Sequence, residues 1–452
     1  MIRLPANMEV RVPAHLVSPL QVGIAWTEHR ESVVFGLASH LATPGRTVLL
    51  VRELMPLPSE AYIAEPGHGA AWSGAATLPV LNEALARHCG IVVFHSHPRG
   101  GPVSLSNDDR DNGRRLLAAF QNIIPDRPHG SVVLGHDHSA GIFLLPGQDD
   151  YSAGGRVRLL GKGIRDLPSD NTRPVYTPEA AFDRQALLTG RDGEARIRSA
   201  RIAVVGLSGG GSQVVQQLAH MGVGEIIGID PAKAKPSHRA RLIGITASDA
   251  KRASLKTDIM ARLVRRINRA VRFTGIPHAI PEQPAIDALK EADIAVGCLD
   301  TYHARADLQD LCVRFLIPYV DVGLLIRPVE GGSGVTIGGN VITAIPGLFC
   351  LWCVGFLSEE RLAAETGGRP RSYFEGADGQ AQVVSMNGLL ASKAVTEVLQ
   401  LITGFAPVTE ELAIKKYDGL GGTLAEWIVQ PDRECAVCRH ALGAGELIWT
   451  TA

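Results

Sequence analysis

Residues 204–230 read VVGLSGGGSQVVQQLAHMGVGEIIGID. An apolar run ends in a glycine loop, a helical segment follows, and a second apolar run ends on Asp230. Glycines let a backbone approach phosphate closely, and the following helix N-terminus favours negative charge. Asp230 falls where a carboxylate reaches ribose hydroxyls. Ser208 replaces the second glycine of the dinucleotide pattern, leaving Gly206, Gly209 and Gly211. By itself such a loop fits NAD, FAD or ATP.

The surroundings of the loop extend the pattern. From about residue 176, strands (ARIAVVG, EIIGID, ADIAVGCLD, PYVDVG) alternate with helices (SQVVQQLAHMG, LKTDIMARLVRRIN, RADLQDLCVRFL). That alternation predicts an α/β fold, a mostly parallel, doubly wound sheet with helices on both faces. Residues 1–147 mix strands and helices, and 148–177, rich in Gly, Asp and Pro, read as a linker before a second domain over 178–452. With 452 residues, 45% hydrophobic and 20% charged, the chain is long enough for two or three domains. A formal net charge of −1 gives no basic field for nucleic acid or an anionic membrane. No apolar run reaches membrane-spanning length and the first residues lack a signal peptide's apolar core, so the expected compartment is the cytoplasm.

The loop's company narrows the choice of nucleotide. FDRQALLTGRDGEARIRS precedes it. PSHRARLIG and Lys256 follow it, then CLDTYHARADLQDLC with Asp300 and Arg305. Cations converging on a polyphosphate, with a carboxylate for Mg²⁺, suit adenylation and are not needed for hydride transfer. Over residues 178–440 these motifs resemble the ubiquitin-activating superfamily, the ThiF/MoeB-like adenylyltransferases, with a Rossmann-like fold. The resemblance implies ATP and Mg²⁺ as cofactors. It implies Lys256 on the phosphates, Asp300 on Mg²⁺ and ATP, Arg241 as a further ATP-site arginine, and Arg184 reaching the phosphates from the partner subunit of a homodimer. His238 stands opposite the family's asparagine, and Ala232 replaces its second acid after Asp230.

Four of the seven cysteines form two C-x-x-C pairs, Cys350/Cys353 and Cys435/Cys438. Two such knuckles suit a closed structural zinc site, with a redox dithiol as the alternative. The same resemblance implies a zinc clip. Thioester-forming members of the superfamily carry a catalytic cysteine between the knuckles, in a mobile loop. Residues 354–434 contain none, although AAETGGRPRSYFEGADGQAQ (363–382) has the composition of such a loop. Cys89, Cys298 and Cys312 read as inert packing.

A second site is written in VVFHSHPRGGPVSLSNDDRDNGRRLL, residues 92–117. Residues i and i+2 of a strand face the same side, so His95 and His97 aim at one point. Asp109 supplies a third ligand for a catalytic zinc with one open position. Ser106-x-x-Asp109 is also a helix capping box, which is compatible with that role. The stretch resembles the JAB/MPN (JAMM) metalloproteases over about residues 10–147. The resemblance implies His95, His97 and Asp109 as zinc ligands, Ser106 as oxyanion helper, and an early glutamate on the first helix. Glu31 is preferred for that glutamate over Glu28, Glu53 and Glu60. Eight residues separate His97 from Ser106 where the family has seven, and a rigid register would bring Asp108 in place of Asp109. His136 and His138 repeat the spacing but read as a turn.

Both resemblances concern the C-terminal Gly of a ubiquitin-like protein. The expectation is a bifunctional enzyme: a zinc metallopeptidase that trims or removes the modifier, and an adenylyltransferase that activates its carboxylate and passes it to a conjugating enzyme or a sulfur donor. The alternatives are a sulfur-carrier activating enzyme of cofactor or cysteine biosynthesis, and a partly degenerate, non-enzymatic binder of ubiquitin-like proteins.

Overall fold

The computed structural model describes residues 7–25, 31–63, 71–97, 103–169, 177, 179–328, 334–366, 381–406 and 412–446. It divides into two units, Met1–Arg173 with Arg314–Leu316 and His440–Ala452, and Pro174–Val313 with Ile317–Arg439.

The first unit contains β1 (Asn7–Val12), α1 (Ala14–Gly23), β2 (Val33–Thr43), β3 (Arg46–Pro56), α2 (Leu78–Ala86), β4 (Gly90–His95), α3 (Asn107–Ile123), β5 (His129–Leu134), β6 (Ser139–Leu144), β7 (Ser152–Ala153), β8 (Arg156–Leu159) and β9 (Arg165–Pro168). The described strands form one sheet in the order β7-β6-β5-β4-β2-β3-β1-β8-β9. Pairs β1/β3, β1/β8 and β4/β5 run parallel. Alternation along the strands gives each face its own core. Val34, Ala38, Val92 and Phe94 join Leu16, Val17 and Leu20 of α1. Val33, Phe35, Ile91 and Val93 join Val80, Leu81 and Ala84 of α2 and Leu117 and Phe120 of α3. The parity of Ile91 and Val93 carries His95 to the α3 side.

The stretch 148–177, expected as a linker, instead contributes β7, β8 and β9 to this sheet. Its charges explain the misreading, because they are paired inside the fold. Arg156 Nη2 meets Asp166 Oδ2 at 2.8 Å, and the buried Arg158 lies 3.7 Å from the buried Glu9 of β1. Residues 170–176 of the expected linker lie outside the described residues.

The second unit contains α4 (Asp183–Ser199), β10 (Arg201–Val205), α5 (Gly209–Met221), β11 (Glu225–Ile229), α6 (Ala247–Arg252), α7 (Lys256–Ile267), β12 (Arg272–Ile276), α8 (Gln283–Lys290), β13 (Ile294–Gly297), α9 (Tyr302–Arg314), β14 (Tyr319–Pro328), β15 (Val335–Ala344), α10 (Glu359–Thr366), α11 (Val384–Thr403), β16 (Ala413–Asp418), β17 (Thr423–Ile428) and α12 (Ala436–His440), whose last residue belongs to the first unit. The sheet order is β12-β11-β10-β13-β14-β15-β16-β17, parallel from β12 to β14 and antiparallel beyond. Ile202–Val205, Ile226, Ile227 and Ile294–Val296 are buried, the near-continuous apolar character of parallel strands covered on both faces. The strand order reverses beside β10, so the crevice at the carboxyl ends of β10 and β13 is where such sheets take ligands.

Candidate functional sites

The glycine loop sits in that crevice. Gly206 has φ +87°, a left-handed conformation that favours glycine, and a Cβ on Gly211 would lie 1.8 Å from Gly206 O. Ser208 makes no side-chain cap on α5, so the first amides of the helix are open to an anion. Asp230 is buried. Its Oδ2 accepts from Leu207 N at 2.7 Å and Lys256 Nζ at 3.0 Å, and its Oδ1 from Ala232 N at 2.8 Å. The carboxylate thus braces the loop and holds Lys256, the first residue of α7.

Arg241 and Asp300 join this group. Arg241 Cδ lies 3.5 Å from where a Cβ on Gly209 would stand, and burial lowers the Arg241 pKa while the Asp300 carboxylate opposes that shift. Asp300 is exposed just beyond β13. Arg305, grouped in the sequence with the phosphate cations, turns inward instead. It pairs with the buried Asp321 and donates to Leu299 O through Nε at 3.2 Å and Nη2 at 2.6 Å, which fixes the residue before Asp300. Arg184 is exposed on the first turn of α4. Its neighbour Gln185 folds back onto the buried Glu194 at 3.1 Å, across a break in α4 at Gly190. Sequence reading missed Asn387, whose side chain stands against Gly209 from α11. The available signal was a polar residue on the buried stripe that also carries Leu390, Ala391 and Ala394.

The four knuckle cysteines converge, each offering a sulfur within 4.8 Å of the others, with Cys350 and Cys435 sulfurs 3.7 Å apart. Thiolates ~2.3 Å from a tetrahedral zinc have edges of ~3.8 Å, so the donor set fits zinc. Hydrogen bonds from Cys350 and Cys438 pull the Cys353 thiol down to about 3, while the same contact with Cys353 pushes Cys350 up. The first knuckle is tied to α9 by Leu351 N to Gln309 Oε1 at 3.0 Å and Trp352 Nε1 to Asp310 Oδ1 at 3.3 Å. Residues 367–380, most of the stretch with a mobile-loop composition, lie outside the described residues. Burial pushes Cys298 up to about 12 and raises Cys312 and Cys89 as well.

In the first unit, Ser106 caps α3 and Asp109 is its third residue, with both halves of the capping box present. Asp109 Oδ1 lies 3.2 Å from His95 Nε2, and its Oδ2 lies 3.2 Å from His97 Nε2. Edges near ~3.4 Å are what ligand atoms ~2.1 Å from one tetrahedral zinc would make, so the His–His–Asp set fits that ion. Asp108 is exposed and outside the group. Burial works against the Asp109 charge, but hydrogen bonds from His95 and Ser106 outweigh it and hold its pKa well below the carboxylate range. Ser106 Oγ donates to Asp109 Oδ2 at 2.6 Å.

Glu31 approaches His97 Nε2 to 4.0 Å, but it precedes β2 and is not on the first helix, where the resemblance had put it. Glu53 pairs with Arg87 and Glu60 is exposed, while Glu28 and residues 98–102 of the lengthened loop lie outside the described residues. His136 and His138 lie in the β5–β6 turn, with Gly135 N bonded to His138 O at 2.9 Å.

The glycine loop, the Rossmann-like sheet and the clustered cations define a nucleotide-binding α/β domain. The ThiF family model matches residues 182–437, and the chain belongs to the ThiF family. It is 26% identical over 277 residues to the adenylyltransferase and sulfurtransferase MOCS3 of Mus musculus, covering 59% of this chain and 55% of that protein. It is 23% identical over 264 residues to the sulfur carrier protein ThiS adenylyltransferase of Escherichia coli, covering 57% of this chain and 94% of that one. It is 26% identical over 165 residues to the SAMP-activating enzyme E1 of Haloferax volcanii, covering 36% of this chain and 57% of that one. The chain thus spans about half the length of the mouse relative. The His95 group lies outside the family match. Among the described residues no helix is long and apolar enough to cross a membrane.

Proposed function

We propose that the second unit adenylates the C-terminal glycine carboxylate of a ubiquitin-like or sulfur-carrier protein. The observation that carries this reading is the Asp230–Lys256 pair beside the uncapped N-terminus of α5, within a ThiF-family chain. The amides at the head of α5, with Lys256 and Arg241, would bind the triphosphate. Asp300 would hold Mg²⁺, which supplies charge neutralisation on the phosphates. The carboxylate oxygen of the partner's tail attacks the α-phosphorus. The bond to the bridging oxygen breaks, and pyrophosphate leaves with its electron pair, giving acyl-AMP. Arg184, exposed on α4, would complete the site from a second copy of the chain. ATP–pyrophosphate exchange that depends on an added carrier protein tests the reading.

The first unit would act as a zinc peptidase on a bond after such a tail. His95, His97 and Asp109 would hold the ion, which supplies a water of lowered pKa and a Lewis-acid centre. Glu31 would move the proton and Ser106 steady the oxyanion. With no cysteine in residues 354–434, the adenylate would pass directly to an external thiol or sulfur donor. The names of the mouse and E. coli relatives, a sulfurtransferase and a sulfur carrier adenylyltransferase, favour the sulfur donor, with conjugation as the second reading. Formation of a thiocarboxylate or of an amide-linked conjugate, read by mass, separates them.

A further inference from the structure

Helix α9, which begins two residues after Asp300, is capped by a side chain from another helix. The first amides of an α-helix have no partner within it. Here Glu365 of α10 supplies one from 63 residues away in the chain. Its Oε1 accepts Tyr302 N at 3.1 Å and its Oε2 accepts His303 N at 3.0 Å. The next amide, that of Ala304, donates to Thr301 Oγ1 at 3.3 Å. Glu365 Oε2 also meets His303 Nδ1 at 2.8 Å, and the glutamate side chain is only 12% exposed. Burial works against its charge, but hydrogen bonds from His303 and from the two amides outweigh it and hold its pKa below the ordinary glutamate value. A carboxylate at a helix head also meets the positive end of the helix dipole. Arg361, one turn earlier on α10, lies 5.8 Å from the centre of the Tyr302 ring, so α10 docks here through two side chains.

The cap gains its meaning from what precedes it. Leu299 O is held by Arg305 through Nε and Nη2, and the Tyr302 and His303 amides are held by Glu365. Only Asp300 and Thr301 lie between these two anchors. We infer that Glu365 is a positioning residue for the Mg²⁺ carboxylate, setting through its cap on α9 the backbone from which Asp300 reaches the metal. This rests on the adenylation reading. The effect of Glu365 passes through Asp300, so it belongs to nucleotide bound with Mg²⁺ and not to nucleotide bound without it.

The test uses the full chain with ATP as probe, titrated by calorimetry with Mg²⁺ present and with Mg²⁺ removed by EDTA. Thermal unfolding is the control for folding. Glu365→Ala should weaken binding roughly 10-fold in Mg²⁺, the low end of what losing a partner behind a metal ligand costs, and leave binding in EDTA unchanged. Glu365→Gln, which keeps an acceptor for one amide, should recover part of the loss, and it carries the test if the alanine variant does not fold. In an Asp300→Ala background, Glu365→Ala should have no further effect on Mg-ATP affinity. Wild-type Mg-ATP affinity in Glu365→Ala, equal weakening with and without Mg²⁺, or an undiminished effect in the Asp300→Ala background overturns the inference alone. A wild-type chain that binds no ATP in either buffer overturns the adenylation reading with it.

Discussion

Lys256 and Asp230 form an ion pair of 3.0 Å between Nζ and Oδ2, with both side chains less than a tenth exposed. Removing the cation strands a buried carboxylate with backbone donors only. Lys256→Ala should cost about 3–5 kcal/mol of stability, the usual penalty for breaking a buried pair. It should also reduce ATP–pyrophosphate exchange by about 100-fold or more, because a phosphate ligand is lost at the same time. Denaturant melts and exchange assays read the two effects separately.

The two ligand groups predict a metal count. The wild-type chain should hold two equivalents of zinc by elemental analysis, and His97→Ala and Cys435→Ser one each. His97→Ala should abolish tail cleavage and spare ATP–pyrophosphate exchange, while Asp300→Ala should do the reverse. A single substitution that abolished both reactions would show that the sites are not independent.

Ser106 serves the helix as well as the proposed metal site. Ser106→Ala removes the acceptor of Asp109 N, 3.0 Å away, and one donor to the Asp109 carboxylate. Loss of an N-cap costs about 1 kcal/mol, so the melting temperature should fall by a few degrees. Ser106→Thr, which keeps the cap, should restore it.

Asp249 gives a stability term with a defined pH dependence. It is fully buried, caps α6 with Thr246, and accepts from Arg262 Nη2 at 2.5 Å. Burial opposes its charge, but Arg262 and Thr246 outweigh that and hold its pKa well below the carboxylate range. Since the folded pKa lies below the unfolded value of ~3.9, the stabilisation is complete above that value. It is lost as pH falls through the folded pKa. Asp249→Asn should therefore destabilise most at neutral pH, and the gap to wild type should close only in strong acid. Denaturation midpoints from pH 7 downward check this.

No enzyme–modifier thioester should form. Burial raises Cys298 to about 12, so little thiolate exists at neutral pH. Incubation with carrier protein and Mg-ATP should give acyl-AMP and no reducible adduct. An adduct that disappears in Cys298→Ser would overturn this expectation.

The two ligand groups were legible because each is built from local rules. Strand parity sets His95 and His97, a cap sets Asp109, and C-x-x-C sets each thiol pair. The glycine loop was legible because the close approach of Gly211 to Gly206 O excludes a side chain. Strands β7, β8 and β9 were not, since the Gly, Asp and Pro of 148–177 read as a linker, while in the fold Arg158 lies 3.7 Å from Glu9 and 4.0 Å from Asp166 within the sheet. Arg305 looked like a phosphate cation because nothing local reveals Asp321, which arrives from another strand. Asn387 was hidden by distance, with over 170 residues between it and the loop that it touches.

The sulfur cluster and the nucleotide crevice share a lever. The first knuckle is bonded to Gln309 and Asp310 of α9, and α9 begins two residues after Asp300. A change in the pose of that helix on metal binding would move the backbone next to the carboxylate at its head. Thermodynamic reciprocity then requires that any factor by which zinc tightens nucleotide binding is the factor by which nucleotide tightens zinc. Chelator resistance would thus report on the state of the crevice at the far end of the same helix.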